Sequence, residues 1–220
     1  MKRIWIACFW IGFTLLCNPT LAQVNKRAIV VLDPGHGGVD SGAIGINGIK
    51  EKDVVLEVAS EVIRLNNTLF NKKLDIYLTR YTDTLISLGH RTKLARALQP
   101  DFFVSIHCNQ ATRRAAQGIE VYVQKPSHNR NIELLSKSEN FASAILFEFD
   151  KALGFKIRGV KYANFQVLRE TQFTCPAVLL ELGFLSNSDE AKHSKRKESI
   201  SGYAMVILQI LLKAEDAGNY

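Results

Sequence analysis

Two histidines and two glutamates carry the chemistry this sequence can offer. His36 sits in "VLDPGHGG" (residues 31–38), where an apolar run breaks into Asp33, Pro34 and three glycines. His107 closes the run "DFFVSIH", Glu51 opens a stretch of helical spacing, and Glu181 falls near the end of "PAVLLELG". Two imidazoles and one carboxylate form a catalytic zinc set with a position left for water, whose pKa zinc lowers to about 7. A further glutamate can take the water proton and return it to a leaving group. Glu181 suits that role, because the apolar "AVLL" before it raises a carboxyl pKa toward a useful range.

Each position also has a plainer reading. His36 could be a turn residue and His107 a satisfied strand-end histidine. Glu51 could complement the positive end of its helix, and Glu181 could pair with Arg80 or Arg91. A phosphate-cradling loop is a weak reading of "DPGHGG", since neither Gly-Lys-Ser/Thr nor the dinucleotide glycine spacing is present. His90, His128 and His193 lie in polar settings and are expected to be exposed and unliganded.

The elements that must position these residues follow from periodicity. "RAIVVL" (27–32), "LDIYLT" (74–79), "DFFVSIH" (101–107), "GIEVYV" (118–123) and "PAVLLEL" (176–182) read as strands, with "FQVLR" (165–169) a possible sixth. Helical spacing runs from Glu51 through Val55, Ala59, Val62, Leu65 and Leu69. It recurs over 91–98, from Leu135 to Leu153, and from Ile200 to Leu211. Strands alternating with helices predict an α/β fold: one domain, residues 27–214, with a twisted, mostly parallel (mixed) sheet of about six strands and helices on both faces. In such sheets ligands bind beyond the carboxyl ends of parallel strands. His36, Glu51, His107 and Glu181 all fall at that edge.

The 220 residues include 47% apolar and 22% charged, which suits a globular domain. Residues 1–22 differ: Lys2 and Arg3 precede the apolar run "IWIACFWIGFTLLC", and "NPTLA" follows. This is a signal-peptide pattern, with an apolar run shorter than the ~20 residues of a membrane span. Export to the periplasm or cell envelope, or release, is expected, with no stable span after cleavage. The formal charge without Lys2 and Arg3 is +5, which favours an anionic partner such as a wall polymer. Scattered basic residues without an aromatic-basic motif exclude nucleic acid. Cys108 and Cys175 lie near opposite ends of their strands, too far apart for the ~7 Å limit of a disulfide, so two free thiols are expected.

Five ordered motifs, "VVLDPGHGGVDSGAIG…GIKEKDVVLEVA", "LTRYTDTLISLGHRTKLA", "DFFVSIHCN", "GIEVYV" and "PAVLLELGFLSN", resemble the zinc-dependent N-acetylmuramoyl-L-alanine amidases of bacterial cell-wall metabolism (amidase type 3). The resemblance covers nearly the whole chain after residue 22. It implies hydrolysis of the amide between the lactyl group of N-acetylmuramic acid and L-alanine in peptidoglycan. It implies Zn2+ as cofactor, His36, Glu51 and His107 as its ligands, and Glu181 as the catalytic residue. Arg80 and Arg91 match recurring arginines, which either bind stem-peptide carboxylates or brace the sheet edge; bracing is preferred. Ala95-Arg96 and Cys108 depart from residues common in the family, and neither is a ligand position. Two rivals stand beside this reading: a zinc peptidase or carboxypeptidase acting on stem peptides, and an inactive wall-binding regulator. Some relatives carry a helix after the strand matching "GIEVYV" that plugs the zinc site until an activator removes it. Residues 124–136 would span less than ~20 Å even if all helical, so no plug and no activator requirement are expected.

Overall fold

A computed structural model describes residues 26–128 and 131–216; the expected signal segment, residues 1–22, lies outside them. Six strands form one mixed sheet: β1 (Ile29–Pro34), β2 (Asp75–Leu78), β3 (Phe102–Asn109), β4 (Ile119–Gln124), β5 (Ile157–Ala163) and β6 (Ala177–Phe184), in the order β2-β1-β3-β6-β4-β5. The strands β2, β1, β3 and β6 are mutually parallel, whereas β4 pairs with β6 antiparallel and carries β5 parallel to itself. The helices are α1 (Glu51–Leu69), α2 (Leu88–Leu98), α3 (Ile132–Leu153), α4 (Gln166–Thr171), α5 (Ser188–Ser194) and α6 (Lys197–Asp216). The expected single α/β domain is therefore the one observed.

Strand alternation sends successive side chains to opposite faces, and the two faces are used differently. Val30 and Leu32 of β1, Phe102, Val104 and Ile106 of β3, and Val178 and Leu180 of β6 join the large core under α1, α3 and α6. Val31, Phe103 and Leu179 face the other way, into a smaller core closed by Ala95 of α2 and Val167 and Leu168 of α4. Further along that second face the same alternation presents Asp33, His107 and Glu181. The short helices do not reach that far, so His107 and Glu181 remain half-buried. The large core fixes the sheet, and the small core ends where the chemistry begins.

One expectation is corrected. Residues 165–169 are not a strand: Phe165 caps α4, whose Val167, Leu168 and Thr171 are buried. Burial of those three residues against the second face overrides the alternating look of "FQVLR". The sixth strand is instead β5, an edge strand whose burial never becomes continuous and whose Gly159 takes φ 91°. The two cysteines are free, as expected, and both are buried. No helix among the described residues is long and apolar enough to cross a membrane.

Candidate active site

The glycine-rich turn after β1 sets the geometry. His36 takes φ 58°, the left-handed region, which histidine enters more readily than most residues with a Cβ. Its Nδ1 lies 2.8 Å from Asp40 Oδ2, and its Nε2 points at Glu51 Oε1, 3.1 Å away. His107 Nδ1 lies 2.8 Å from the same Glu51 oxygen. These three residues offer donor atoms within 4.8 Å of one another. Close packing requires glycine nearby: a Cβ at Gly35 would sit 2.3 Å from the His107 ring, and one at Gly42 would sit 2.4 Å from Glu51 Oε2. The glycines of the loop give the centre room.

Glu51 is buried at the start of α1 and accepts hydrogen bonds from the backbone of Ala43 and Cys108 as well. Burial alone would raise its pKa. Hydrogen bonds and charge from His107 and His36 win and hold the carboxyl far below its ordinary range. Burial would likewise lower His36, but Glu51 and then Asp40 raise its pKa to about 9. Among the described residues, His36, Glu51 and His107 form a group that could hold a metal ion.

Arg80 and Arg91 are both buried and serve the loop that bears His36. Arg80 donates to the carbonyls of Pro34, Gly35 and Lys52. Arg91 donates to Asp33 Oδ1 at 2.7 Å and to the carbonyls of Pro34 and His36. Asp33 is satisfied further by Thr79 and Ser105. These arginines thus brace the loop, and neither pairs with Glu181.

Glu181 is in register with His107 on the neighbouring strand and with Glu120 on the other side. Its Oε2 is buried and has no hydrogen-bond partner among the described residues. Burial, with Glu51 and Glu120 adding, lifts its pKa to about 7 although His107 and His36 pull it down. A carboxyl of that kind exchanges a proton near neutral pH. All four residues singled out by spacing are therefore brought together. His90 and His128 are exposed as expected, whereas His193 is half-buried, its ring 5.3 Å from Phe155 and 5.7 Å from Tyr203. The cause is α5, which packs that polar stretch against α6. Two participants do not stand out in the sequence. Asp40 could be found from its place four residues after His36. Glu120 depends on the direction of β4.

An acid whose buried oxygen lacks a partner, beside three convergent donors, is the equipment of a hydrolase. The sequence model of N-acetylmuramoyl-L-alanine amidase matches residues 30–212. The chain belongs to this amidase family. It is similar to the uncharacterized protein YqiI of Bacillus subtilis (strain 168), at 35% identity over 193 residues, 87% of either chain. The N-acetylmuramoyl-L-alanine amidase AmiA of Escherichia coli (strain K12) is 32% identical over 212 residues, covering 80% of this chain and 72% of its own. The catalytic domain of the amidase CwlV from Bacillus (Paenibacillus) polymyxa var. colistinus superposes with TM-score 0.76 at 38% identity, over 86% of this chain and 99% of that one. An amidase from Clostridium difficile 630 gives TM-score 0.77 at 30% identity, over 87% and 98% of the two chains.

Proposed function

We propose that this protein hydrolyses the amide between N-acetylmuramic acid and L-alanine in peptidoglycan, with zinc held by His36, Glu51 and His107 and with Glu181 as the catalytic residue. The observation that carries the reading is the convergence of those three donors, within 4.8 Å, beside a carboxyl whose buried Oε2 has no partner among the described residues. The residues fit zinc: two imidazole nitrogens and a carboxylate oxygen are a catalytic donor set. Asp40 engages His36 Nδ1 and so leaves Nε2 for the metal, the usual arrangement behind a ligating histidine.

When bound, zinc supplies a Lewis acid for the scissile carbonyl and lowers the pKa of water toward neutrality. Glu181 removes the proton of the attacking water and passes it to the leaving alanine nitrogen. Burial raises its pKa, the direction a carboxyl that both takes and returns a proton requires. Arg80 and Arg91 keep the His36 loop from shifting as charge moves.

Residues 1–22 are proposed as an export signal, and residues 27–214 as the catalytic domain. No activator is proposed. Residues 125–131 contain no carboxylate to compete for the metal, and the chain leaves β4 after Gln124 at the end opposite Glu181, since Glu120 rather than Gln124 pairs with it. The retention of all four residues argues against an inactive regulator.

Glu181→Gln tests the assignment of roles. Turnover should fall roughly 10²–10⁴-fold with zinc content unchanged. Loss of zinc in that variant would make Glu181 a ligand and overturn the mechanism.

A further inference from the structure

The row that begins at His107 does not stop at Glu181. Glu120 follows on β4, facing Glu181, and is buried. Three groups converge on it. Arg158 of β5 donates from Nε to Glu120 Oε1, Lys161 Nζ lies 2.7 Å from Oε2, and the Tyr122 hydroxyl donates to Oε2 at 2.8 Å. The Arg158 guanidinium also lies 4.9 Å from the centre of the Phe184 ring. Each cation keeps about a third of its side chain exposed, 33% for Arg158 and 35% for Lys161, while Glu120 keeps 2%. The two terminal nitrogens of Arg158 make no hydrogen bond among the described residues. Glu190, also near this corner, has both oxygens occupied by the backbone of Gly118 and Phe184. The acids of the corner are therefore turned inward and the cations outward.

A buried carboxylate contributes little to stability that an apolar residue of similar size would not. What Glu120 does achieve is to hold two long cationic side chains still, which removes most of the entropy cost of binding an anion with them. The loop from 110 to 117, which joins β3 to β4 at this same edge, adds the exposed Arg113 and Arg114.

We propose that Arg158 and Lys161, aimed by Glu120, form a subsite for the free α-carboxylate of the second stem-peptide residue. The inference rests on the amidase reading, which fixes the side on which the peptide must lie. Glu181 delivers its proton to the alanine nitrogen, so the peptide leaves past Glu181, away from His36. In a stem peptide the second residue is D-glutamate linked through its side-chain carboxyl, which leaves the α-carboxylate free. Two extended residues place that carboxylate about 7 Å beyond the alanine nitrogen. Strands are ~4.8 Å apart, so one to two strand spacings beyond Glu181 reach the cations over Glu120. A bidentate guanidinium contact reinforced by an ammonium is well matched to a carboxylate, and a carboxamide in its place would lose the charge.

The test uses sacculi whose stem peptides carry either D-glutamate or D-isoglutamine at the second position. They are offered together to the zinc-loaded protein, with the free dipeptide L-alanyl-D-glutamate titrated separately against L-alanyl-D-isoglutamine, which keeps the γ-carboxylate and lacks the α-carboxylate. The acid form should be preferred roughly tenfold in kcat/KM, the worth of one charge-assisted hydrogen bond. In Arg158→Lys and Lys161→Gln that ratio should move toward one, and the dipeptide should bind correspondingly more weakly. Because the ratio compares two substrates on one protein, a general loss of folded enzyme does not mimic it. Equal rates on the two sacculi, or a preference untouched by both variants, overturn the subsite. If the wild type cleaves neither, the amidase reading fails instead, and the dipeptide titration alone decides whether the cations bind the carboxylate.

Discussion

Arg80 and Arg91 on one side of His107, and Arg158 and Lys161 on the other, are the same kind of charge put to opposite use. The first pair is buried and spends its donors on backbone carbonyls of the loop that carries His36, with Asp33 as the counter-charge. The second pair gathers round one buried carboxylate and leaves a third of each side chain to solvent. Burial decides between them. A guanidinium cut off from water must find its partners inside the protein, and here those partners are the backbone whose shape presents a metal ligand. A half-exposed cation keeps donors for something that arrives.

The largest difference should appear in stability. Arg91→Met leaves Asp33 buried without its counter-charge and should destabilise the protein by roughly 3–5 kcal/mol in urea unfolding. Lys161→Gln, at a half-exposed pair with a second cation still in place, should cost under about 1 kcal/mol. Equal losses at the two positions would erase the distinction between brace and ledge.

A smaller effect concerns Glu181, which sits between the two regions. Its carboxyl stays protonated up to about pH 7, whereas in the unfolded chain it ionises near 4.5. The folded protein thus binds the extra proton between those values. The stability it brings is complete below pH 4.5 and is lost as pH rises through about 7. Glu181→Gln removes that loss. In the metal-free protein the variant should match wild type near pH 4 and exceed it by about 1–3 kcal/mol at pH 8. Denaturant titrations at the two pH values check this, and a variant less stable than wild type at pH 8 would mean that the Glu181 carboxylate is better satisfied than its unpartnered Oε2 indicates.

The two regions also differ in how far the sequence revealed them. The strands β1, β3 and β6 are apolar on both faces, because two cores cover them, so they read as continuous hydrophobic runs that end in His36, His107 and Glu181. The ledge is built from β4 and β5, and β5 is an edge strand. Its exposed Arg158 and Tyr162 stand among residues only half-covered, Lys161 included, and Gly159 breaks the alternation at a bulge. No apolar run marks it, and the neighbouring "FQVLR" attracts the strand reading instead. Glu120 was hidden for a topological reason. It lies at the start of its strand, the wrong end for a site in a fully parallel sheet. A short connection from β3, residues 110–118 without a helix, cannot cross the sheet and return, so β4 must run back from the same edge. That length is the signal that would have brought Glu120 beside Glu181. The arginine braces were legible as recurring residues of the family pattern, but their choice of partner depends on burial that only the fold supplies.

The central claim is which bond is cut, and the products answer it most directly. Sacculi digested with the purified zinc-loaded protein and examined by mass spectrometry should yield intact stem peptides with free L-alanine amino ends, together with glycan strands bearing free lactyl carboxylates. Stem peptides shortened from within while the lactyl–alanine bond survives, or no products at all from protein shown to hold zinc, would contradict the account.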